Sequence, residues 1–195
     1  EDLSDPVRFD LNCKGIHNVW RDLPESAVAN IEAFSEADGY VYAVGETSKM
    51  YYPEMKLNRN ARHLINSQNG YIIILDELVS ELAHTYTWRM HSETYAAKHS
   101  EDKYEIRNGG GAMNIFPLYP EAKTVTIDET LVEEVMTPQR PDDIRRISLK
   151  TIKIENTEKA STTTFLNILQ PKDGVANTEE NDITLERISG KTCFG

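Results

Sequence analysis

The chain has 195 residues and a formal net charge of −11, from 32 acidic and 21 basic side chains. A surface of that sign does not attract nucleic acid or an anionic membrane, and no apolar segment has the length that a membrane span requires. The length suits a single domain over residues 1–195 that can bury a substantial core.

Strand patterns dominate the chain from its beginning. Residues 7–13 alternate apolar and polar side chains with a period of two, which predicts a half-buried strand. Asp38-Gly39 and Asn69-Gly70 are typical hairpin turns. The next predicted strands lie at 27–34, 39–44, 58–66 and 71–75. We expect Asp76 to end the last of these.

Residues 85–91 show the clearest alternation in the chain. The period of two predicts that Tyr86, Trp88 and Met90 face the core, while Arg89 and His91 lie on the opposite face.

The second half of the chain continues this pattern. Strands are predicted at 104–107, 112–116, 124–127, 144–154, 162–169 and 183–188. A change of apolar phase within 144–154 predicts a bulge near Lys150-Thr151. Apolar residues at helical spacing predict one short helix over 129–136, which Pro138 stops. Residues 138–143 are predicted to be a loop, and 172–181 a mobile acidic loop. The sequence thus predicts an all-β fold, a large antiparallel β-sandwich of two sheets.

A local positive patch is the main candidate site. Arg89 and His91 share a strand face, and the preceding hairpin brings Arg62 or Arg59 near them. Arginine binds carboxylate and sulfate groups in bidentate geometry. The alternative is a solvated strand face with ordinary ion pairs. Trp20 lies in a polar context and is a candidate for stacking on a sugar ring. We therefore predict substrate binding by Trp20, Arg62, Arg89 and His91.

Metal and cysteine patterns are weak. The sequence contains five histidines but no HxH, HExxH or CxxC pair. Cys13 and Cys193 lie near opposite ends of the chain. The sequence is compatible with a disulfide between them and equally with two free thiols.

Several segments, taken in order, resemble one enzyme family. They are His17-Asn18, residues 39–47 completed by Tyr51, Arg62 with 71–76, residues 87–91, and residues 164–171. This series is similar to the C-terminal β-sandwich of heparinase II/III-like polysaccharide lyases. The resemblance covers about residues 15 to 171, and the order of the motifs carries it.

The resemblance implies that the chain is part of a larger enzyme with an N-terminal α/α toroid. Such enzymes cleave uronic-acid polysaccharides, among them glycosaminoglycans, by β-elimination. A base removes the proton alpha to the carboxylate, and a tyrosine or histidine protonates the leaving oxygen. The main catalysts belong to the toroid, so we expect no lyase activity from this chain alone.

The same resemblance implies partners, a cofactor and a location. The partners are an acidic polysaccharide and the toroid domain, and the location is periplasmic or secreted. His17 matches a family metal-ligand position but alone it cannot hold zinc, so a zinc cofactor requires its other ligands outside this chain, and the occupancy of such a site stays open. The alternative function is a non-catalytic carbohydrate-binding or structural β-sandwich module.

Overall fold

The computed structural model describes residues 29–51, 53–68, 70–137 and 140–173, except for the side chains of 132–145 and 173. Eleven strands lie within these ranges. In chain order they are β1 Asn30–Ala37, β2 Tyr40–Glu46, β3 Leu57–Ser67, β4 Ile72–His84, β5 Thr87–Ser92, β6 Tyr95–Ser100, β7 Lys103–Asn108, β8 Gly111–Tyr119, β9 Lys123–Thr137, β10 Arg140–Asn156 and β11 Ala160–Asp173. Two single-turn 3₁₀ helices, Ser48–Met50 and Pro53–Met55, connect β2 to β3.

The strands form two sheets. The larger has eight strands in the order β1-β2-β3-β4-β11-β8-β7-β6, and the smaller has three in the order β5-β10-β9. Every described strand pair is antiparallel. The predicted all-β, two-sheet sandwich is therefore confirmed.

Glycines close the predicted hairpins. Gly39 has a φ of 96° between β1 and β2, and Gly70 has a φ of 86° between β3 and β4. Glycine reaches this left-handed region without the steric cost that a Cβ brings. The turn after β3 sets the register of the β3–β4 hairpin, in which Asn66 lies opposite Ile72 and Arg62 opposite Asp76.

The core lies between the two sheets. Ile74, Phe165 and Leu169 of the larger sheet are buried with Trp88, Ile152 and Ile154 of the smaller sheet. Trp88 is 4% exposed, and Met90 packs against the same cluster. The predicted inward face of residues 85–91 is therefore confirmed.

The predicted helix over 129–136 is wrong. These residues lie in β9, which pairs residue by residue with β10 from Lys123 to Val135. Several of them are β-branched, which favours strands, and the antiparallel partner β10 supplies hydrogen bonds along one edge of β9. The predicted loop at 138–143 is also wrong in part, because β10 begins at Arg140.

Three smaller predictions also fail. No bulge occurs at Lys150-Thr151, where β10 keeps continuous register with β5 and β9. Ile147 and Leu149 simply lie on the opposite face from Ile152 and Ile154. β4 does not end at Asp76 but continues to His84. Residues 172 and 173 complete β11 rather than begin a loop.

One strand was missed, and some predictions concern residues outside the described ranges. β6 carries Ala96-Ala97-Lys98, whose residues have low strand propensity. The strands predicted at 7–13 and 183–188, most of the loop at 172–181, and both cysteines lie outside the described residues.

Candidate functional site

A cleft of about 330 Å³ opens where β5 passes alongside β3 and β4. β5 pairs with β10 along one edge, and the residues of β3 and β4 that line the cleft lie beside it. The lining side chains are Tyr51, Met55, Leu57, Asn60, Arg62, Asp76, Leu78, His84, Thr85, Tyr86, Thr87, Trp88, Arg89, His91 and Phe165.

An arginine–aspartate pair lies in this cleft. The hairpin register places Arg62 opposite Asp76, so both side chains share the inner face of the larger sheet. Arg62 Nε donates to Asp76 Oδ1 at 2.6 Å, and an Arg62 terminal nitrogen donates to Oδ2 at 2.9 Å. The Asp76 side chain is 8% exposed and that of Arg62 is 56% exposed.

The pair fixes the direction of the Arg62 side chain. Its hydrogen bonds with the Asp76 carboxylate raise the pKa of Arg62, and this outweighs the opposing effect of burial. Two of the five guanidinium N–H groups bind Asp76. The exposed remainder of the guanidinium faces the cleft in a fixed orientation.

Arg89 and His91 reach the same cleft from the smaller sheet. Both are exposed, as their position opposite Trp88 and Met90 on β5 predicts. His91 lies across from Thr151, and His91 Nδ1 is 2.8 Å from Thr151 Oγ1. This hydrogen bond orients the imidazole ring. The structure thus brings together three of the four predicted substrate-binding residues, Arg62, Arg89 and His91.

Arg59, the alternative to Arg62, lies on the outer face of the sheet instead. A register irregularity between Leu57 and Arg59 precedes it. Arg59 binds Glu32 and Glu77, whose hydrogen bonds raise the pKa of Arg59. Glu77 is also 3.2 Å from His63 Nε2. These contacts tie β1, β3 and β4 together and give Arg59 a structural role.

Sequence reasoning missed Asp76 as a lining residue of the cleft. Asp76 was interpreted as a strand end, yet it alternates with Ile72 and Ile74 and so faces inward with them. Burial raises the pKa of the Tyr86 phenol. The Trp88 indole Nε1 is buried and makes no hydrogen bond within the described part of the chain. The cleft therefore combines aromatic surface with cationic groups.

The predicted metal site receives no support from the described residues. In the ranges that the structure describes, no three His, Cys, Asp or Glu side chains converge as a metal site requires. His17 and Trp20 lie outside those ranges. Likewise, none of the described segments forms a helix with the length and apolar character to span a bilayer.

Comparison with known proteins places the fold. No protein-family model and no curated protein matches the sequence. Solved structures do match. Heparan sulfate lyase HepC from Pedobacter heparinus is 15% identical with a TM-score of 0.58, over 79% of this chain and 24% of that chain. A heparinase III structure is 12% identical with a TM-score of 0.57, over 76% and 22%.

The chain has the fold of one part of these enzymes. It spans about a quarter of the length of the structures it matches. The resemblance to heparinases is therefore confirmed for the fold. The match corresponds in extent to one domain of a longer protein.

Proposed function

We propose that this chain is the sandwich module of a heparinase-like polysaccharide lyase, and that the cleft beside β5 binds the acidic polysaccharide. The placement of Arg62, Arg89 and His91 on one cleft carries the proposal. Arginine binds carboxylate and sulfate groups, which uronic-acid polysaccharides bear. Because the whole chain has a net charge of −11, a cleft lined by two arginine side chains is where a polyanion would bind.

The cleft residues have binding rather than proton-transfer roles in this proposal. In β-elimination a base removes the proton alpha to the uronate carboxylate, and cationic or hydrogen-bonding groups stabilise the charge that develops. Arg62 and Arg89 have the chemistry to hold the carboxylate or a sulfate. We assign the proton transfers to another domain of the parent enzyme, the expected N-terminal toroid. No step is assigned to zinc, because the described residues offer no site for it.

The match to only a quarter of each heparinase supports a parent with further domains. The resemblance to the heparinase family implies a periplasmic or secreted location, and the proposal includes it. The non-catalytic alternative shares the binding cleft but has no toroid. The gene sequence upstream of Glu1 separates the two, because a toroid requires several hundred helix-rich residues there.

Activity of the chain alone tests the division of roles. The chain is incubated with heparin, heparan sulfate, alginate and chondroitin, and ultraviolet absorbance from unsaturated uronate ends is followed. We expect no increase. Clear turnover of any polymer would show that this chain carries its own proton-transfer groups.

Binding tests the cleft itself. Arg89→Ala removes an exposed cation from the cleft, and we expect the Kd for the bound polymer to rise about tenfold, which corresponds to about 1.4 kcal/mol. Lys98→Ala is the matched control, because Lys98 is a similarly accessible cation on β6, outside the cleft. Titration calorimetry at fixed salt gives both values. Equal weakening by the two variants would contradict the cleft assignment.

A further inference from the structure

Within the described residues, the inner face of the larger sheet is covered at one end and exposed at the other. Ile74 on β4 is 7% exposed, whereas Leu64, its partner on β3, is 38% exposed. Leu64 lies opposite Ala43, which lies opposite Phe34 on β1, and Phe34 is 67% exposed. Cover from the smaller sheet therefore ends between β4 and β3.

Phe34, Val41 and Leu64 form what we call the apolar shelf. The antiparallel registers place all three on the same face as the core residue Ile74. Eight strands at about 4.8 Å spacing span about 34 Å, and three strands span about 10 Å. The larger sheet thus extends well beyond its partner, and large apolar side chains on that overhang are typical of a surface that another segment covers.

Residues 7–13 fit this shelf. Val7, Phe9, Leu11 and Cys13 alternate with Arg8, Asp10 and Asn12, so a strand here presents one apolar and one polar side. Residues 14–29 can span about 50 Å when extended, which is ample reach. They lead directly into β1 at Asn30, the outermost strand of the shelf.

We propose that residues 7–13 add a strand to the smaller layer of the sandwich and pack their apolar side on the shelf formed by Phe34, Val41 and Leu64. The sandwich core then continues across β1–β3. This inference stands apart from the proposed polysaccharide binding.

Cysteine cross-linking tests the contact in the full chain. Cys193→Ser leaves Cys13 as the single native thiol. Phe34→Cys, Val41→Cys or Leu64→Cys is then added one at a time, with Ile65→Cys as the control because Ile65 faces the opposite side of β3. Under mild oxidation we expect an intramolecular disulfide in at least one shelf variant and none in the control. No shelf disulfide, or an equal yield with Ile65→Cys, overturns the proposal.

Thiol accessibility gives a second readout that needs no disulfide geometry. Val41→Cys in a Cys13→Ser, Cys193→Ser chain is alkylated under native conditions. Leu11→Asp should raise the alkylation rate about tenfold, because it places a charge on the apolar side of residues 7–13. Asn12→Asp should leave the rate unchanged. Equal rates in both variants overturn the proposal, as do concentration-dependent cross-linked dimers, which would assign the shelf to a second copy.

Discussion

Removal of Arg62 should cost more stability than neutralisation of Asp76, although the two residues form one ion pair. The reason is their unequal burial, 56% exposed for the Arg62 side chain and 8% for that of Asp76. Arg62→Ala leaves a carboxylate buried without its cation. Breaking a buried pair in this way costs about 3–5 kcal/mol. Because the Arg62 side chain is half exposed, water can reach Asp76 in the variant. We therefore expect a loss near the lower end of that range, about 3 kcal/mol.

Asp76→Asn leaves a different defect. The amide oxygen still accepts a hydrogen bond from Arg62, and the guanidinium remains half in water, so we expect a loss of about 1 kcal/mol. The double variant Arg62→Ala, Asp76→Asn removes the buried charge and should be more stable than Arg62→Ala alone. Arg59→Ala is the control for an ion pair whose carboxylates are accessible to water, at 40% for Glu32 and 41% for Glu77, and it should cost under about 1 kcal/mol.

Urea unfolding measures all four variants. The free energy of unfolding is obtained by linear extrapolation, with the slope compared between variants to confirm two-state behaviour. A loss of about 3 kcal/mol is large against a typical total of about 5–15 kcal/mol. If Asp76→Asn costs as much as Arg62→Ala, or the double variant is no more stable than Arg62→Ala, the buried-charge reasoning is refuted.

Two further predictions concern the outer face and the core. The hydrogen bond from Arg59, followed by that from His63, lowers the pKa of Glu77, so its stabilising effect exists above the ordinary pKa of 4.5 and is lost as the pH falls through the lower folded value. The difference in unfolding free energy between the native chain and Glu77→Gln should therefore shrink on acidification, and a constant difference would contradict this. The Phe165 side chain is only 1% exposed, so Phe165→Ala should lower the free energy of unfolding by about 3–5 kcal/mol. Urea unfolding measures the loss, and Leu131→Ala, at an exposed side chain, is the control.

Alternation explains why the sequence predicts so much of the sandwich. A strand with one buried face repeats every two residues, and residues 85–91 show this with Trp88 inward and Arg89 outward. Hairpin turns such as Asp38-Gly39 also set the register between the two strands that they connect. Because these determinants are local, most strands and the inward position of Trp88 are predicted correctly.

The errors arise where distant partners decide the outcome. Residues 129–136 have apolar spacing compatible with a helix, and only β10, whose pairing residues follow in the chain, makes them a strand. β4 likewise continues beyond Asp76 because β11 pairs with it as far as His84, more than 70 residues later. No local pattern contains that information.

The prediction of the candidate site shows the same difference between local and distant determinants. The exposed positions of Arg89 and His91 follow from β5 alone, and the facing of Arg62 and Asp76 follows from the β3–β4 hairpin. Arg62 and Asp76 line the same cleft as Arg89 and His91 only because of the way the smaller sheet lies over the larger one. No local sequence pattern determines that arrangement. Trp88, expected only as a core residue, also lines the cleft for that reason.

Charge in the cleft has two distinct components. Asp76 neutralises Arg62, so Arg62 contributes oriented N–H donors rather than net positive charge. Under the proposed function, Arg89 adds a second guanidinium from the exposed face of β5. Salt screens long-range attraction between charges and affects short hydrogen bonds from a fixed guanidinium less. We therefore propose that Arg62 aligns a bound polymer in the cleft through its oriented N–H donors.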